Sequence, residues 1–472
     1  MDILWAVLPS LSFLMGTLPR DAWSATLPWY HEFTLLRPLD DEEDWALFVA
    51  NAKRVKHLSM HDEKRGLDTS GLQHQLEAIA LQLQRHPILF PSLRSVHISS
   101  DVSPVTAVLL GAVFFCSPHL EEYWMATCKC MPIASVLHGL ASWRPNIRFI
   151  EVHTWPSVPS QIIARFTHLE KLCVSSPLSE EDIFHLSGLH TLLALQISFP
   201  HSYRLCDAVQ SADAFASLTK LSLYGIRDVT QASSFLAMIT LPRLGHLELA
   251  FNMSEVIMEP QCSDLLHAIA LHVSLEILQL RVYRHNQDDD DEEDEEVDGS
   301  ISIRPLFNLR KLKILMIDTE LLRDAFTDAT IAELGRAWPD LDCLDYSPSI
   351  RPILSGPLTL DVLAQCAAHF PKLTRLALDV DALLVPAPPP APLAQQMIEV
   401  ELTGSLIDQE NCAEVAAYIA AVFPQGFVRV NNYPDTSHET LFWTHVKGML
   451  PVLRRMRKEL GEQVDHEVEM SK

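Results

Sequence analysis

Apolar residues along this chain return in one phrase: an apolar or aromatic anchor, usually a Pro or a polar residue, then Leu-x-x-Leu-x-Leu. It reads FPSLRSVHI from Phe90, SPHLEEYWM from Ser117, RPNIRFIEV from Arg144, FTHLEKLCV from Phe166, FASLTKLSL from Phe215, LPRLGHLEL from Leu241, HVSLEILQL from His272, WPDLDCLDY from Trp338 and FPKLTRLAL from Phe370. The last two apolar positions of each phrase flank a polar one, as in Leu221, Ser222 and Leu223, which is the period of a half-buried strand. Between the phrases, residues 72–86, 105–115, 232–240, 264–272 and 361–370 space their apolar residues by three and four, predicting helices that lay a stripe on the core. Ser179, followed by Glu180, Glu181 and Asp182, predicts an N-cap with an acidic first turn.

The first Leu or Ile of successive phrases, at 93, 120, 147, 169, 192, 218, 244 and 275, is separated by 27, 27, 22, 23, 26, 26 and 31 residues. A unit that cannot bury its own apolar face must stack on a copy of itself, and steps of roughly 20 to 29 residues are those of leucine-rich repeats. The expected fold is an α/β leucine-rich-repeat solenoid of the ribonuclease-inhibitor-like kind, with parallel strands on the concave face and helices on the convex face. The spacing accommodates about twelve to fourteen repeats. Such a fold is a surface for holding something, so binding is the expected function.

In each phrase the residue between the last two apolar positions is expected on the concave face: His97, Trp124, Glu151, Cys173, Ser222, Glu248, Gln279, Met316, Asp345 and Ala377. Tyr123, Trp124 and Trp155 form a candidate aromatic hot spot there, the competing reading being aromatics that close gaps at a curved edge.

Composition narrows the function. The formal charge of -25 argues against a nucleic-acid binder, whose affinity comes from clustered Lys and Arg. Nine cysteines, scattered and odd in number, point to reduced thiols in the cytoplasm or nucleus rather than a disulfide framework. Cys128 and Cys130 supply half of a tetrahedral zinc site with no second pair at a recognised offset. No nucleophile elbow, phosphate-binding glycine loop, dinucleotide fingerprint or HExxH occurs, so no enzyme activity, metal or cofactor is expected. Histidines such as His86, His119, His168, His185 and His369 fall near helix ends or in the anchor, where carbonyls can satisfy them, and His57 and His61 are not spaced as ligands on a strand. The apolar start, residues 3–19, has Asp2 in place of a basic n-region and is interrupted by Pro9 and Pro19. It is expected as a helix packed under the first repeats rather than as a signal peptide or membrane span.

Three regions follow from these patterns. Residues 1–50 are expected as a helical cap, 51–430 as irregular repeats beginning with a strand at 55–60, and 431–472 as a C-terminal cap built on a helix kinked at Pro451. Residues 286–300, with ten acids among the eleven positions from Asp288 to Asp298, read as a solvated insertion in a loop rather than a lure for a basic partner. Residues 385–394 read as a stiff Pro-rich connector standing in for one repeat's helix rather than a docking peptide.

The N-terminal segments MDILWAVLPSLSFLMGTLPRDAW and FTLLRPLDDEEDWALFVANAKRVKHLSM (Phe33 to Met60) resemble the region behind the F-box in a large F-box/leucine-rich-repeat family of mushroom-forming (basidiomycete) fungi. The matching residues are Asp2, Leu4, Trp5, Leu8, Pro9, Leu11, Leu18 and Pro19, with Arg37, Pro38, Asp44, Trp45, Arg54 and Val55. The resemblance implies a substrate-recognition component of an SCF-type ubiquitin ligase that holds a protein substrate; the chain is expected to act as a monomer. Where an F-box is present, the resemblance also implies a second partner, the cullin-RING ligase linker subunit, which docks on that F-box. That F-box is expected upstream of Met1. Either the coding sequence starts earlier, or the chain is a receptor without its handle; a stand-alone repeat scaffold with no ligase link is the alternative.

Overall fold

The computed structural model describes residues 5–27, 30–37, 39, 41–60, 79, 88–98, 117–125, 133–143, 146–153, 160–199, 214–253, 259–284, 301–318, 322, 326–346, 358–389, 393–394, 396–402, 405–429 and 438–470. The chain divides into two compact units, Met1–Tyr224 and Gly225–Lys472.

The first unit contains β1 (Val7–Leu8), α1 (Ser12–Met15), β2 (Trp23–Leu27), β3 (Tyr30–Leu35), α2 (Glu42–Ala52), β4 (His57–Met60), β5 (Ser95–Ile98) and β6 (Glu122–Met125). It continues with α3 (Ile133–Trp143), β7 (Phe149–Val152), α4 (Ser160–Ile163), β8 (Lys171–Pro177), α5 (Glu180–Ser187), β9 (Ala194–Ser198) and β10 (Lys220–Ile226), whose last two residues fall in the second unit. Strands β1 and β4 to β10 run parallel, each beside the next in sequence, and β2 with β3 forms a separate antiparallel pair.

The second unit follows with α6 (Val229–Met238), β11 (His246–Met253), α7 (Glu259–Ala270), β12 (Ile277–Arg284), β13 (Ile314–Asp318), α8 (Asp328–Ala337), β14 (Cys343–Tyr346) and α9 (Val362–His369). It ends with β15 (Arg375–Leu378), β16 (Glu399–Glu401), α10 (Cys412–Val422), β17 (Phe427–Arg429) and α11 (His438–Met470). Its parallel ladder runs in order from β11 to β17. One short parallel strand per repeat, alternating with a helix or loop, is the architecture of a leucine-rich-repeat solenoid.

The repeated phrase has a local physical cause. Its anchor opens a four-residue turn closed by a backbone bond from the first Leu: Leu93 N–H to Phe90 O at 3.3 Å, Leu169 to Phe166 at 3.0 Å, Leu244 to Leu241 at 3.2 Å and Leu373 to Phe370 at 3.2 Å. Pro91, Pro242, Pro339 and Pro371 occupy the second turn position, where a φ near −65° is already required. The anchors Phe90, Phe166, Phe215, Trp338 and Phe370 are fully buried. Just after the turn, each chain bonds to the repeat before it, as in Arg148 N–H to Glu121 O, Glu170 to Arg148 and Lys313 to Glu276, all at 2.8 Å. These bonds fix the register, so equivalent residues form columns. Leu278, Leu315, Leu344 and Leu376 are paired in sequence across β12 to β15, and each is inaccessible to solvent.

The helices at 229–238, 259–270 and 362–369 match those expected from spacing, and Ser179 caps α5 as anticipated. Its Oγ accepts from Asp182 N–H at 3.2 Å, and the Asp182 carboxylate accepts from Ser179 N–H at 2.7 Å. His185, His267 and His369 lie in the last turns of α5, α7 and α9. Helices α8 and α9 approach closely at Gly335, where an added Cβ would meet the His369 Cβ.

The N-terminus differs from the expected helix. Val7–Leu8 pairs parallel with His57–Leu58, so the ladder starts ahead of the strand anticipated at 55–60, and only Ser12–Met15 forms an α-helix after it. Trp5 and Ala6 are helical ahead of β1, and Pro9 follows β1 directly, so the apolar run is divided into helical turns on either side of a two-residue strand. The family-like residues form a corner beside it. Arg37 donates to both Asp44 oxygens at 2.7 and 3.0 Å and to Asp21 at 2.8 Å, while buried Trp45 donates Nε1–H to Leu39 O at 3.1 Å. Helix α11 continues through Pro451, and residues 385–389 form neither helix nor strand. The expected helices at 72–86 (apart from Ile79) and 105–115, and the acidic run at 286–300, lie outside the described residues.

Candidate functional site

Parallel pairing, in register at this position of each strand although β8 and β9 shift register after Val174, sets the polar member of each phrase beside its counterpart in the next. In the first unit the row runs Ser59, His97, Trp124, Glu151, Cys173, Gln196 and Ser222. In the second it runs Glu248, Gln279, Met316, Asp345, Ala377, Glu401 and Arg429. The ten residues that lie between the last two apolar positions of their phrases occupy these two rows. Ser59, Gln196, Glu401 and Arg429 join them, though the same alternation in VKHLSM, LLALQI, IEVEL and FVRV was there to find them.

Trp124 is the centre of the first row. Its half-buried ring lies between the imidazoles of His97, with centroids 5.6 Å apart, and His153, at 5.8 Å and near-perpendicular. The His153 ring is held at both nitrogens: Nε2 is 2.6 Å from a Glu151 carboxylate oxygen and Nδ1 3.0 Å from Ser175 Oγ. Burial acts to raise the Glu151 pKa, but hydrogen bonds from His153 and Trp124, with the charges of His153 and Lys171, outweigh it and leave the carboxyl below its ordinary range. Next to it, burial foremost and the Glu151 charge second push the Cys173 thiol up to about 12, so it is a protonated thiol at neutral pH. Lys171 Nζ stands 4.3 Å over the Phe149 ring. Among the described residues, Glu151, His153 and Cys173 bring three donor atoms of metal-ligand type within 4.8 Å of one another.

Tyr123 is not part of this surface. It is 2% exposed, occupying the inward apolar position of its phrase, and its hydroxyl contacts Met125 Sδ at 3.9 Å. The aromatic centre is therefore Trp124 with two histidines rather than Tyr123 with Trp124, and Trp155 lies outside the described residues. Four row positions expected to be exposed are buried instead: Cys173, Ser222, Glu248 and Ala377. Short side chains at Cys173, Ser222 and Ala377 do not rise to the level of their longer neighbours, and Glu248 lies against Arg281 at 3.5 Å.

Charge pairing organises the second row. Arg375 reaches Asp345 at 3.3 Å and Glu401 at 3.4 Å, the two residues flanking Ala377 in register, so its guanidinium spans the strand that carries that small side chain. Burial pushes the Glu401 carboxyl up, against the opposing charge of Arg375. Arg429 pairs with Glu399 at 3.2 Å. Gln279 and Met316 lie between these clusters, both half-buried.

A shallow polar groove in the first unit, at the start of its strands, is lined by His119, Asn146, His168 and Thr191 and crossed by a two-pronged Arg148–Glu170 pair at 2.9 and 2.8 Å. Five cysteines, Cys173, Cys262, Cys343, Cys366 and Cys412, are buried free thiols, and Cys128 and Cys130 lie outside the described residues. Among the described residues no helix is long and apolar enough to cross a membrane.

No family model and no curated protein matches the sequence. Solved structures that it resembles include a leucine-rich-repeat protein of Leptospira interrogans, at 14% identity over 75% of this chain and 81% of that one, with a TM-score of 0.37. The complex of Rad7 and Elc1 in yeast matches at 14% identity over 64% and 80%, with a TM-score of 0.35. A protein from Bacteroides fragilis matches at 14% over 48% and 70%, with a TM-score of 0.32.

Proposed function

We propose that this protein is a non-catalytic receptor that holds a protein partner on the strand face of its repeats. The observation that carries the reading is the row through Ser59, His97, Trp124, Glu151 and Gln196, a half-buried indole braced by two imidazoles and surrounded by paired polar groups. A large, rigid amphipathic ring within a polar surround is the composition of an interface anchor, since it contributes contact area at small entropic cost. The net charge of -25 favours a protein partner over a nucleic acid.

The finer reading rests on the N-terminal resemblance. We take the chain to be an F-box-like substrate receptor of an SCF-type ubiquitin ligase, or a derivative lacking the F-box, acting as a monomer in the cytoplasm or nucleus. Ubiquitin transfer then belongs to its partners. The Arg37–Asp44–Trp45 corner supports this reading as far as it gives the matching residues one shared structural job.

The test compares the wild-type chain with Trp124→Ala, expressed from the native gene with its complete 5′ coding sequence. The receptor reading expects co-purification of the cullin linker subunit with both forms, and of a substrate that accumulates on gene deletion with the wild type alone. Absence of the linker subunit returns the protein to a stand-alone scaffold. Equal substrate capture by both forms removes the strand face from the account.

A further inference from the structure

We propose that Glu151, His153 and Cys173 form a binding site for one divalent transition-metal ion of the zinc type on the strand face of the first unit. Register makes the site. Glu151 and Cys173 are direct partners across β7 and β8, and His153 lies two residues after Glu151, returning to the same face. A carboxylate oxygen, an imidazole nitrogen and a thiol sulfur are thereby gathered within 4.8 Å of one another. Tetrahedral ligands at zinc distances of roughly 2.0 to 2.3 Å stand about 3.5 Å apart, so small rotations of these side chains close the set.

The surroundings suit an ion of this class. In the metal-free chain Nε2–H of His153 donates to Glu151. When the ion takes that place the proton leaves Nε2, the neutral ring carries its proton on Nδ1 and donates it to Ser175 Oγ 3.0 Å away, and the Nε2 lone pair faces the ion, an outer-sphere arrangement common in zinc sites. A carboxylate and a thiolate with a neutral imidazole balance the charge of a divalent cation. The mixed oxygen, nitrogen and sulfur set selects zinc, cobalt or nickel over magnesium and calcium, which take oxygen ligands. Glu151 and His153 side chains keep 17% and 32% of their exposure, leaving an approach for the ion and a fourth position for water. Cys173 enters as the thiolate, and its proton, held in the metal-free chain by burial and the Glu151 charge, leaves to solvent. This inference is independent of whether Trp124 anchors a partner.

The experiment adds cobalt(II), then zinc(II), to the reduced full-length chain after chelator treatment. The expected result is one cobalt per chain with a thiolate-to-cobalt charge-transfer band, abolished by zinc and weakened as pH falls. Cys173→Ser should lose the band, while a Cys128→Ser/Cys130→Ser chain keeps it. His153→Ala, at a partly exposed position, should weaken zinc binding at least tenfold with an unchanged circular dichroism spectrum. No band, a band that survives Cys173→Ser, or one lost with Cys128 and Cys130 overturns the site. Should Cys173→Ser fail to fold, an unaltered zinc affinity in His153→Ala overturns it alone.

Discussion

Leu315 and Met316 are adjacent on β13 and belong to opposite faces, so a pair of alanine substitutions separates core from surface within one strand. Leu315 is inaccessible to solvent and lies in register between Leu278 and Leu344, which are equally buried. Leu315→Ala removes three carbons, a methine and two methyls, about 2.4 kcal/mol at roughly 0.8 kcal/mol each. The void between two rigid neighbouring strands brings the total to about 3–4 kcal/mol. Met316 is half-buried on the polar row, and its truncation should cost roughly 1 kcal/mol. Because a stacked-repeat protein is stabilised largely by nearest-neighbour interfaces, the loss should concentrate around the altered repeat. Hydrogen exchange of the full-length variants reads this directly: opening free energies of β12, β13 and β14 amides should fall by the larger amount in Leu315→Ala and the smaller in Met316→Ala, with β17 less affected. Equal losses from the two substitutions would refute the assignment of faces. A uniform loss through β17 would refute the nearest-neighbour picture.

Other perturbations test other links. Ser179→Ala removes half of a capping box and should lower the local stability of α5 by about 1 kcal/mol, measured by exchange of its first-turn amides. Gly335→Ala places a Cβ against the His369 Cβ and carbonyl, so α8 and α9 must separate; a lowered melting temperature is expected, and an unchanged or raised one would show that the helices yield freely. Glu151 has a folded-state pKa below its ordinary 4.5, so the unfolded chain takes up the proton first as acid is added. Its contribution is therefore complete above about pH 4.5 and is lost as pH falls through the folded value, and the stability gap between wild type and Glu151→Gln should narrow over that descent.

The solenoid was legible because its physical cause is local and repeated. A turn that accepts Pro at its second position, a buried anchor and a strand of period two leave the same mark in each repeat, and one mark predicts the next. The N-terminal strand left no such mark: Val7–Leu8 is two residues within an apolar run, where helix and buried strand look alike. The β2–β3 pair has no tight-turn signal of the Asn-Gly kind to announce it.

For the candidate site, alternation identified the face but not the height of each side chain above it. Ala377 and Ser222 obey the period and are nonetheless buried, because exposure also depends on the longer side chains around them, such as Arg375 on the strand of Ala377, which reaches Asp345 and Glu401 on the two neighbouring strands. Tyr123 illustrates the converse, since its place in Leu-x-x-Leu-x-Leu already marked it as core. His153 and Ser175 fall beyond the phrase; the i, i+2 spacing places His153 on the face of Glu151, but its meeting with Ser175, like that of Glu151 with Cys173, is a product of register between strands, which sequence spacing alone does not encode.

The central claim is that the strand face of the repeats holds the partner. A photo-crosslinking residue placed at position 124, and separately at the exposed position of Phe184 on α5, tests it inside the native cell. The account predicts one defined crosslinked protein from position 124, the same one that accumulates when the gene is deleted, and none from 184. Crosslinks to that protein from position 184 with none from 124 would contradict it, moving the binding surface from the strands to the helices.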